Sequence, residues 1–162
     1  IATAGEDGFV RRWSADERTK VSELHVHKSG VRCFDLSAMG DRILCGGQYE
    51  AARFMDLVTG QCLSTLGAAS EKGTANAVNG VSLLDEEQRA ATCSWDQGLR
   101  LWDTSDGQLL VVMAGVSEWV SRGFGVSLSS GSGFCVTHTW DRKLQLWDFS
   151  EFFEASAPAR VK

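Results

Sequence analysis

The chain has 162 residues, 43% apolar and 23% charged, a composition typical of a globular domain with one sizeable core. The formal net charge is −5 without a long run of either sign, so we expect no broad surface for nucleic acid or acidic membrane. No apolar stretch approaches the roughly 20 residues of a membrane helix, and no signal peptide is visible.

The first predicted element is the run IATAGEDGFVRRW, in which the acid Asp7 follows Thr3 by four residues and Trp13 follows Asp7 by six. The same three residue types recur at the same intervals further along the chain. Self-similarity at a fixed spacing is typical of repeat architectures, so each copy predicts one structural unit. The later copies are AATCSWDQGLRLW, with Thr92, Asp96 and Trp102, and CVTHTWDRKLQLW, with Thr137, Asp141 and Trp147.

A weaker copy, ILCGGQYEAARFMD, lies between the first and second of these. Gly46 stands at its hydroxyl place, Glu50 near the acid place and Met55 near the indole place, one residue short in spacing. From one acidic marker to the next the steps are 43, 46 and 45 residues, for Asp7, Glu50, Asp96 and Asp141. Such a period, with four strands per unit, is the spacing of propeller blades.

The residues between the turn signals predict strands. The runs 32–36, 99–102 and 144–147 are rich in β-formers and aromatic residues, and no segment shows a long period of 3.6. Several runs are apolar on both faces, which predicts sheets covered on both sides. Gly, Ser and Asp clusters separate the runs. The sequence therefore predicts an all-β fold of small antiparallel sheets, each of four strands, sandwiched between their neighbours.

These residues resemble the WD-repeat (WD40) β-propeller family, and the Trp-Asp dipeptide itself occurs at 102–103 and 147–148. The resemblance implies a network in each blade: a His before the innermost strand, a hydroxyl residue on the second strand, an Asp in the next turn and a Trp on the third strand. A buried indole N–H needs an acceptor, and the hydroxyl can supply it. By this match the network residues are Thr3, Asp7, Trp13, His27, Thr92, Asp96, Trp102, Thr137, Asp141 and Trp147.

No repeat in the sequence carries all four network residues. His27 fits the His place, but its own repeat has Gly46, Glu50 and Met55 at the partner places. The later repeats have the partners but lack the His, and Val116 stands at that place in the last repeat. We expect water or backbone groups to complete the bonding there.

The period also predicts how the chain is divided. We expect a single propeller segment of about 3.75 blades that begins on the second strand of one blade and forms an incomplete ring. The missing half of the ring is expected upstream of Ile1, because a propeller closes so that no sheet edge is left bare. The predicted units are a partial blade over 1–26, a degenerate blade over 27–67, blades over 68–115 and 116–154, and a tail over 155–162.

Binding in a propeller is expected on exposed loops. The resemblance implies that the loop before the innermost strand and the turn between the second and third strands share one face. Aromatic residues on that face would favour binding of a partner. Two alternatives stay open, namely that each Trp packs on its own loop and that the basic residues are solvated surface. The loop 67–79 is expected to be a mobile connector or, alternatively, a docking loop. The candidate partner-binding residues are Trp95, Trp119, Trp140, Tyr49, Glu6, Arg122, Arg142 and Lys143.

No chemical site stands out in the sequence. The five Cys form no Cys-x-x-Cys pair, which predicts buried thiols in a reducing compartment rather than a zinc site. His25 and His27 lack a third metal ligand, and His138 alternates with Thr residues on a strand. There is no nucleophile elbow and no phosphate-binding loop. We therefore expect no catalytic residue, metal or cofactor.

The resulting functional prediction is a non-enzymatic protein-interaction scaffold. It would be a WD-repeat subunit of a larger intracellular complex, cytoplasmic or nuclear, that binds a peptide or protein on the loop face. Two alternatives stay open: a subunit of an RNA-processing or ribosome-assembly particle, and a purely architectural propeller with no active loop face. The net charge argues against direct nucleic-acid binding, and no membrane partner is expected.

Overall fold

A computed structural model describes residues 1–48, 51–67, 77–84, 87–94, 98–114, 123–128, 133–139 and 144–149. The regular elements of these ranges are strands, grouped into four antiparallel sheets that follow one another along the chain. Within each sheet, strands that are consecutive in sequence are neighbours in space. The all-β prediction is confirmed.

The four sheets take their names from their order. Sheet 1 contains β1 (Ala2–Ala4), β2 (Phe9–Trp13) and β3 (Lys20–His25). Sheet 2 contains β4 (Val31–Leu36), β5 (Arg42–Gly47), β6 (Ala52–Asp56) and β7 (Cys62–Leu66). Sheet 3 contains β8 (Val78–Leu84), β9 (Arg89–Ser94), β10 (Gly98–Asp103) and β11 (Leu109–Ala114). Sheet 4 contains β12 (Gly123–Leu128), β13 (Phe134–Thr139) and β14 (Leu144–Asp148).

The first strands of sheets 2, 3 and 4 lie on the inside of the arrangement. Strand β8 contacts both β4 and β12, so the sheets stand side by side like blades around a common axis. Asp35 on β4 reinforces this contact, because its carboxylate accepts hydrogen bonds from the Ser82 hydroxyl (3.1 Å) and the Leu83 N–H (2.9 Å) of β8. An ion pair between Arg42 and Glu87 (3.0 Å) also joins sheets 2 and 3.

An aspartate at the end of the third strand organises the turn to the fourth. The Asp103 carboxylate accepts the backbone N–H (2.8 Å) and the hydroxyl (2.6 Å) of Ser105, and these bonds lower the pKa of Asp103. Asp56 accepts two backbone N–H groups of its own turn in the same way (2.8 and 2.7 Å). Gly107 then reverses the chain with φ of 75°, and a Cβ there would lie 2.6 Å from the Thr65 carbonyl oxygen of sheet 2.

The apolar core lies between consecutive sheets rather than in one central cluster. Sheets 2 and 3 are covered on both faces, which explains why several of their strands carry consecutive apolar residues. In β5, for example, Ile43, Leu44 and Cys45 are all fully buried. The three clusters are Val10, Val26, Val31, Ile43, Cys45, Met55 and Leu57 between sheets 1 and 2; Leu44, Ala52, Phe54, Leu66, Val78, Val81, Ala90 and Trp102 between sheets 2 and 3; and Leu84, Ala91, Cys93, Leu99, Leu101, Cys135, Trp147 and Phe149 between sheets 3 and 4.

Sheet 4 departs from this two-sided burial. Leu144 and Leu146 are 77% and 65% exposed, and Phe134 and Val136 are also exposed on the neighbouring strand. Among the described residues, the apolar run 144–147 is covered on one face, where Trp147 packs against sheet 3.

Burial of the thiols follows the same interfaces, with one exception. Cys45, Cys93 and Cys135 are buried and Cys33 is half-buried, but Cys62 on β7 is exposed. The prediction of five buried thiols is therefore wrong for Cys62, which lies on the outermost strand of its sheet. No helix in the described part of the chain is long and apolar enough to span a membrane.

Candidate partner-binding surface

An indole and a hydroxyl meet in three of the four sheets. In each sheet the Thr pairs with a residue on the neighbouring strand, and the Trp comes two residues after that partner. Side chains two residues apart on a strand lie on one face, so the Thr and the Trp point to the same face of the sheet. The contact satisfies the indole donor. The Nε1–H group donates to the hydroxyl oxygen in the pairs Trp13–Thr3 (2.9 Å), Trp102–Thr92 (2.8 Å) and Trp147–Thr137 (2.8 Å).

Sheet 2 has different residues at these two places. Cys45 pairs with Arg53, and Met55 comes two residues after Arg53. Thr92 and Trp102 are related in the same way in sheet 3, so Cys45 occupies the hydroxyl place and Met55 the indole place. The interval between them is ten residues, the same as in the other repeats.

This register corrects the alignment inferred from the sequence. Gly46, which was expected at the hydroxyl place, lies one residue beyond it, where a Cβ would be only 2.6 Å from a Val78 methyl group of sheet 3. The apparent one-residue shortening came from aligning on the acid Glu50, which lies outside the described residues. Gly46 is required by the close approach of β8, not by the network.

His27 is fully buried before the innermost strand of sheet 2. Its Nε2 lies 3.1 Å from the Cys45 carbonyl oxygen, to which it donates a hydrogen bond. The ring packs against Gly47, where a Cβ would be 2.7 Å from Nδ1. The His therefore bonds to the main chain of the second strand, at the residue that holds the hydroxyl place.

Asp7 bonds to groups of its own turn and sheet. Its carboxylate accepts the Arg11 guanidinium (2.6 Å) and the Phe9 N–H (3.2 Å), and these two bonds lower the pKa of Asp7. Arg11 also lies 3.3 Å from the Glu23 carboxylate, so one cation joins two acids on the exposed face of sheet 1. Arg11 was expected only as a solvated residue of a strand, and the four-residue spacing from Asp7 was the signal for this ion pair. Asp96 and Asp141 lie outside the described residues.

The turn between β1 and β2 of sheet 1 contacts the loop that leads into β4 of sheet 2. Gly30, just before β4, has φ of 90°, and a Cβ there would lie 2.8 Å from the Glu6 carbonyl oxygen in the β1–β2 turn. The Val31 N–H donates to the Gly5 carbonyl oxygen across this contact (3.0 Å). For sheets 1 and 2, these two segments therefore form one continuous surface, which we call the loop face.

Only part of the predicted partner-binding set can be located on this face. Glu6 is exposed there, with Lys28 exposed on the adjoining loop. The other candidates, Trp95, Trp119, Trp140, Tyr49, Arg122, Arg142 and Lys143, lie outside the described residues, as does most of the loop 67–79.

The opposite end of sheets 1 and 2 holds a shallow groove of about 230 Å³. Its walls come from β2, β3 and the β6–β7 turn, including Val10, Leu24 and Gly60. Small-molecule sites usually enclose about 300–1,000 Å³, so this groove is small for one. In the ranges that the structure describes, no group of three or more His, Cys, Asp or Glu side chains is placed to hold a metal ion.

The comparisons with known proteins agree with the sheet arrangement. The family model described as "WD domain, G-beta repeat" matches residues 18–49 and 60–103. A ribosome biogenesis protein WDR12 homolog of Chlamydomonas reinhardtii is 27% identical, and the alignment covers 73% of this chain and 27% of the relative. A guanine nucleotide-binding protein subunit beta of Zea mays is 27% identical over 71% of this chain and 31% of the relative.

A third relative, pre-mRNA-processing factor 19 of Caenorhabditis elegans, is 27% identical over 62% of this chain and 20% of the relative. The chain thus spans less than a third of the length of these curated relatives. Among solved structures, the computationally designed Ika4 protein superposes with a TM-score of 0.74 at 18% identity, over 91% of this chain and 84% of that one. The designed Ika8 protein superposes with a TM-score of 0.72, over 91% of this chain and 42% of that one. Taken with the indole–hydroxyl pairs and the side-by-side sheets, these matches identify the chain as a member of the WD-repeat (WD40) β-propeller family.

Proposed function

We propose that this chain is a non-enzymatic protein-interaction scaffold, the WD-repeat part of a larger intracellular complex, whose partner binds on the loop face. The observation that carries the proposal is the contact between the Glu6 turn and Gly30, which joins two connecting segments into one surface. Rigid sheets that present neighbouring loops on one side are a common way to build a protein-binding surface.

The other residues of the proposed surface are assigned from their matching places in the sequence repeats. In the sequence, Trp95 and Trp140 immediately precede Asp96 and Asp141, as Glu6 precedes Asp7, and Tyr49 precedes Glu50 in the weaker copy. Large aromatic residues and Arg are the residue types most often found at interface hot spots. We therefore assign Trp95, Trp140, Trp119 and Tyr49 as the proposed apolar contacts, with Arg122, Arg142 and Lys143 as the proposed charged contacts.

The buried thiols support an intracellular, reducing setting. Burial raises the pKa of Cys93 and Cys135 to about 12, which keeps both as unreactive thiols. The proposed location is the cytoplasm or the nucleus.

Two relatives favour one alternative setting. Their names describe ribosome biogenesis and pre-mRNA processing, so a place in an RNA-containing particle is the second candidate function. In that setting we propose that the chain contacts protein subunits, since its net charge of −5 does not favour a broad contact with phosphates.

The test is affinity purification of the tagged chain from cell extract with quantitative mass spectrometry. The Trp95→Ala/Trp140→Ala variant removes two proposed contacts on the loop face. The matched control is Met39→Ala/Val58→Ala, which removes two exposed apolar side chains (85% and 70% exposed) from turns at the other end of sheet 2. Circular dichroism checks that both variants are folded.

The proposal expects partners that are retained by the control and lost by the loop-face variant. Partners retained by both variants would overturn the loop-face assignment and favour a purely architectural role. Co-sedimentation with ribosomal or splicing particles that is lost on the same variant would select the second candidate. RNA binding by the purified chain with a steep salt dependence would contradict a protein-only interface.

A further inference from the structure

One interior position of the repeat changes its chemistry in sheet 1. The residue just before the indole place is Phe54 in sheet 2 and Leu101 in sheet 3, and both are buried in the cluster shared with the next sheet. In sheet 1 this residue is Arg12, on the face of β2 that carries Val10 and packs on sheet 2. A place that is filled by an apolar side chain elsewhere therefore holds a guanidinium here.

The outer end of the interface between sheets 1 and 2 is open. Between sheets 2 and 3 the corresponding end is closed, because the Ser64 hydroxyl donates to the Thr104 carbonyl oxygen (2.6 Å). Ser22 of sheet 1 stands at the place of Ser64. Within the described part of the chain, no such bond joins the Ser22 hydroxyl to the β6–β7 turn of sheet 2. The two sheets are therefore held together less closely at this end.

The groove of about 230 Å³ occupies this opening, and both of its walls are described. It lies on the face of sheet 1 that packs on sheet 2, between β2 and β3 on one side and the β6–β7 turn on the other. Of its apolar lining residues, Val10 and Leu57 are buried, Leu24 is half-buried and Val58 is exposed. The groove thus has an apolar base and an open mouth.

Arg12 lines the groove as a half-buried cation. Among the described residues its guanidinium has neither an ion pair nor a hydrogen bond, whereas Arg11 on the opposite face bonds to Asp7 (2.6 Å) and Glu23 (3.3 Å). Glu23 is the acid on the groove wall, and its carboxylate is bonded by Lys20 (2.8 Å) as well as by Arg11. An anion supplied from outside would therefore give Arg12 the partner that this sheet does not.

A guanidinium beside an apolar base suits a ligand that carries a carboxylate and an apolar side chain. Arginine pairs with a carboxylate through two parallel hydrogen bonds. One cation matches one negative charge, and the Glu23 carboxylate on the wall disfavours a phosphate dianion. Because the groove is smaller than a usual small-molecule site, the two ligand groups must lie on one residue. The last residue of a protein chain meets this condition, since its main-chain carboxylate and its side chain share one Cα.

We propose that this groove binds the C-terminal residue of a partner protein, with the terminal carboxylate on Arg12 and a branched aliphatic side chain against Val10 and Leu24. The bound side chain would fill the space that the Phe54 ring fills between sheets 2 and 3. The groove lies at the end of sheets 1 and 2 opposite the loop face, so it is a second binding site in addition to the one proposed there.

The test is an NMR titration of the whole ¹⁵N-labelled chain with N-acetyl-leucine, which carries both proposed groups. Saturable shifts are expected at the amides of Val10, Arg12 and Gly60. The expected dissociation constant is on the order of 1 mM, the range for a ligand of about twelve heavy atoms. N-acetyl-leucinamide lacks the carboxylate and N-acetylglycine lacks the apolar side chain. Each is expected to bind at least about tenfold more weakly.

Three variants locate the binding. Arg12→Met keeps the aliphatic stem but removes the guanidinium, and it is expected to weaken N-acetyl-leucine binding at least about tenfold. Arg12→Phe copies Phe54 of sheet 2 and is expected to fill the groove and abolish binding, with circular dichroism showing a folded chain. Arg89→Met is the matched control, because it removes a half-buried arginine from sheet 3 and should bind N-acetyl-leucine like the unmodified chain.

Four results would contradict the proposal. They are an absence of shifts at the groove amides up to the solubility limit of N-acetyl-leucine, equal binding by the Arg12→Met chain, preferential binding of inorganic phosphate, and tighter binding of N-acetyl-aspartyl-leucinamide. The last probe has its carboxylate on a side chain and a blocked terminus, so its preference would indicate an internal acidic segment as the ligand. None of these results depends on the loop face, so the two sites stand or fall separately.

Discussion

Sheets 2 and 3 have the same four-strand topology but differ at the place where an indole is expected. Sheet 3 holds Trp102 bonded to Thr92, whereas sheet 2 holds Met55 beside Cys45. Both large side chains are almost fully buried, at 6% and 5% exposure. The position therefore requires a large apolar side chain between the sheets, and the hydroxyl is needed only where an indole N–H must be satisfied.

The second strand of sheet 2 needs no hydroxyl acceptor. Without an indole there is no donor to satisfy, and the Cys45 Sγ–H instead lies 3.4 Å from the Arg53 carbonyl oxygen of the neighbouring strand. Replacing both members of a polar pair by groups of suitable shape costs little, whereas removing one member leaves the other unpaired. Sheet 2 therefore keeps its packing without the network.

The largest effect is expected from truncating the large side chain in either sheet. Trp102→Ala is expected to cost about 3–5 kcal/mol of unfolding free energy, and Met55→Ala about 2–5 kcal/mol, because each leaves a cavity between two sheets. Urea unfolding followed by circular dichroism measures both. Trp13→Ala serves as the control and is expected to cost clearly less, since that indole is 37% exposed. A nearly neutral Met55→Ala would show that this place in sheet 2 does not require a large apolar side chain.

A smaller effect is expected from removing the hydroxyl alone. Thr92→Val keeps the shape but leaves the buried Trp102 N–H without its acceptor, at a cost of about 1–3 kcal/mol. Cys45→Val, at the same place in sheet 2, is the matched control and is expected to cost under about 1.5 kcal/mol, because no indole depends on it. In a Trp102→Phe background the cost of Thr92→Val should fall to that of the control. Equal costs in the two backgrounds would show that the bond is not the cause.

The smallest effect is expected at Cys62. At pH 8, iodoacetamide should modify this exposed thiol in the folded chain and leave the urea midpoint unchanged, as mass spectrometry and unfolding curves would show. Cys33 and Cys93 should react only on unfolding, because burial raises the pKa of each to about 12 from 9.0. Their stabilising contribution is intact below pH 9 and is lost as pH rises towards 12. Rapid labelling of all thiols in the folded chain would contradict this difference between exposed and buried sites.

The sequence predicted the elements whose chemistry repeats. The Thr–Asp–Trp interval and the period near 45 residues indicated one sheet per repeat, since a hydroxyl and an indole ten residues apart meet across a tight antiparallel hairpin. Sheet 2 was aligned one residue off, because Cys45 and Met55 carry neither group and the acid of Glu50 drew the alignment to Gly46. Strand pairing alone reveals the true register.

Other features had no signal in the sequence. His27 bonds to a main-chain carbonyl, and a carbonyl belongs to every residue, so its partner could not be read from side-chain types. The exposure of Trp13 and Leu146 depends on which sheet stands next to them, not on their own repeats. Of the proposed loop-face residues, Glu6 can be located, and the assignment of Trp95 and Trp140 rests on repeat position.

The seating of Trp102 and Trp147 in the preceding sheet has a consequence for how such a chain can be recombined. A repeat excised at its sheet boundaries would carry its indole but leave behind the surface that accommodates it. A chimera that transplants sheet 3 would therefore tolerate its new surroundings only if the upstream neighbour supplied residues like Ala52 and Phe54. The unit that can be exchanged is therefore not one sheet but a sheet together with the apolar face of the sheet before it. Gene fusions made from these repeats should keep that face with the Trp that packs on it.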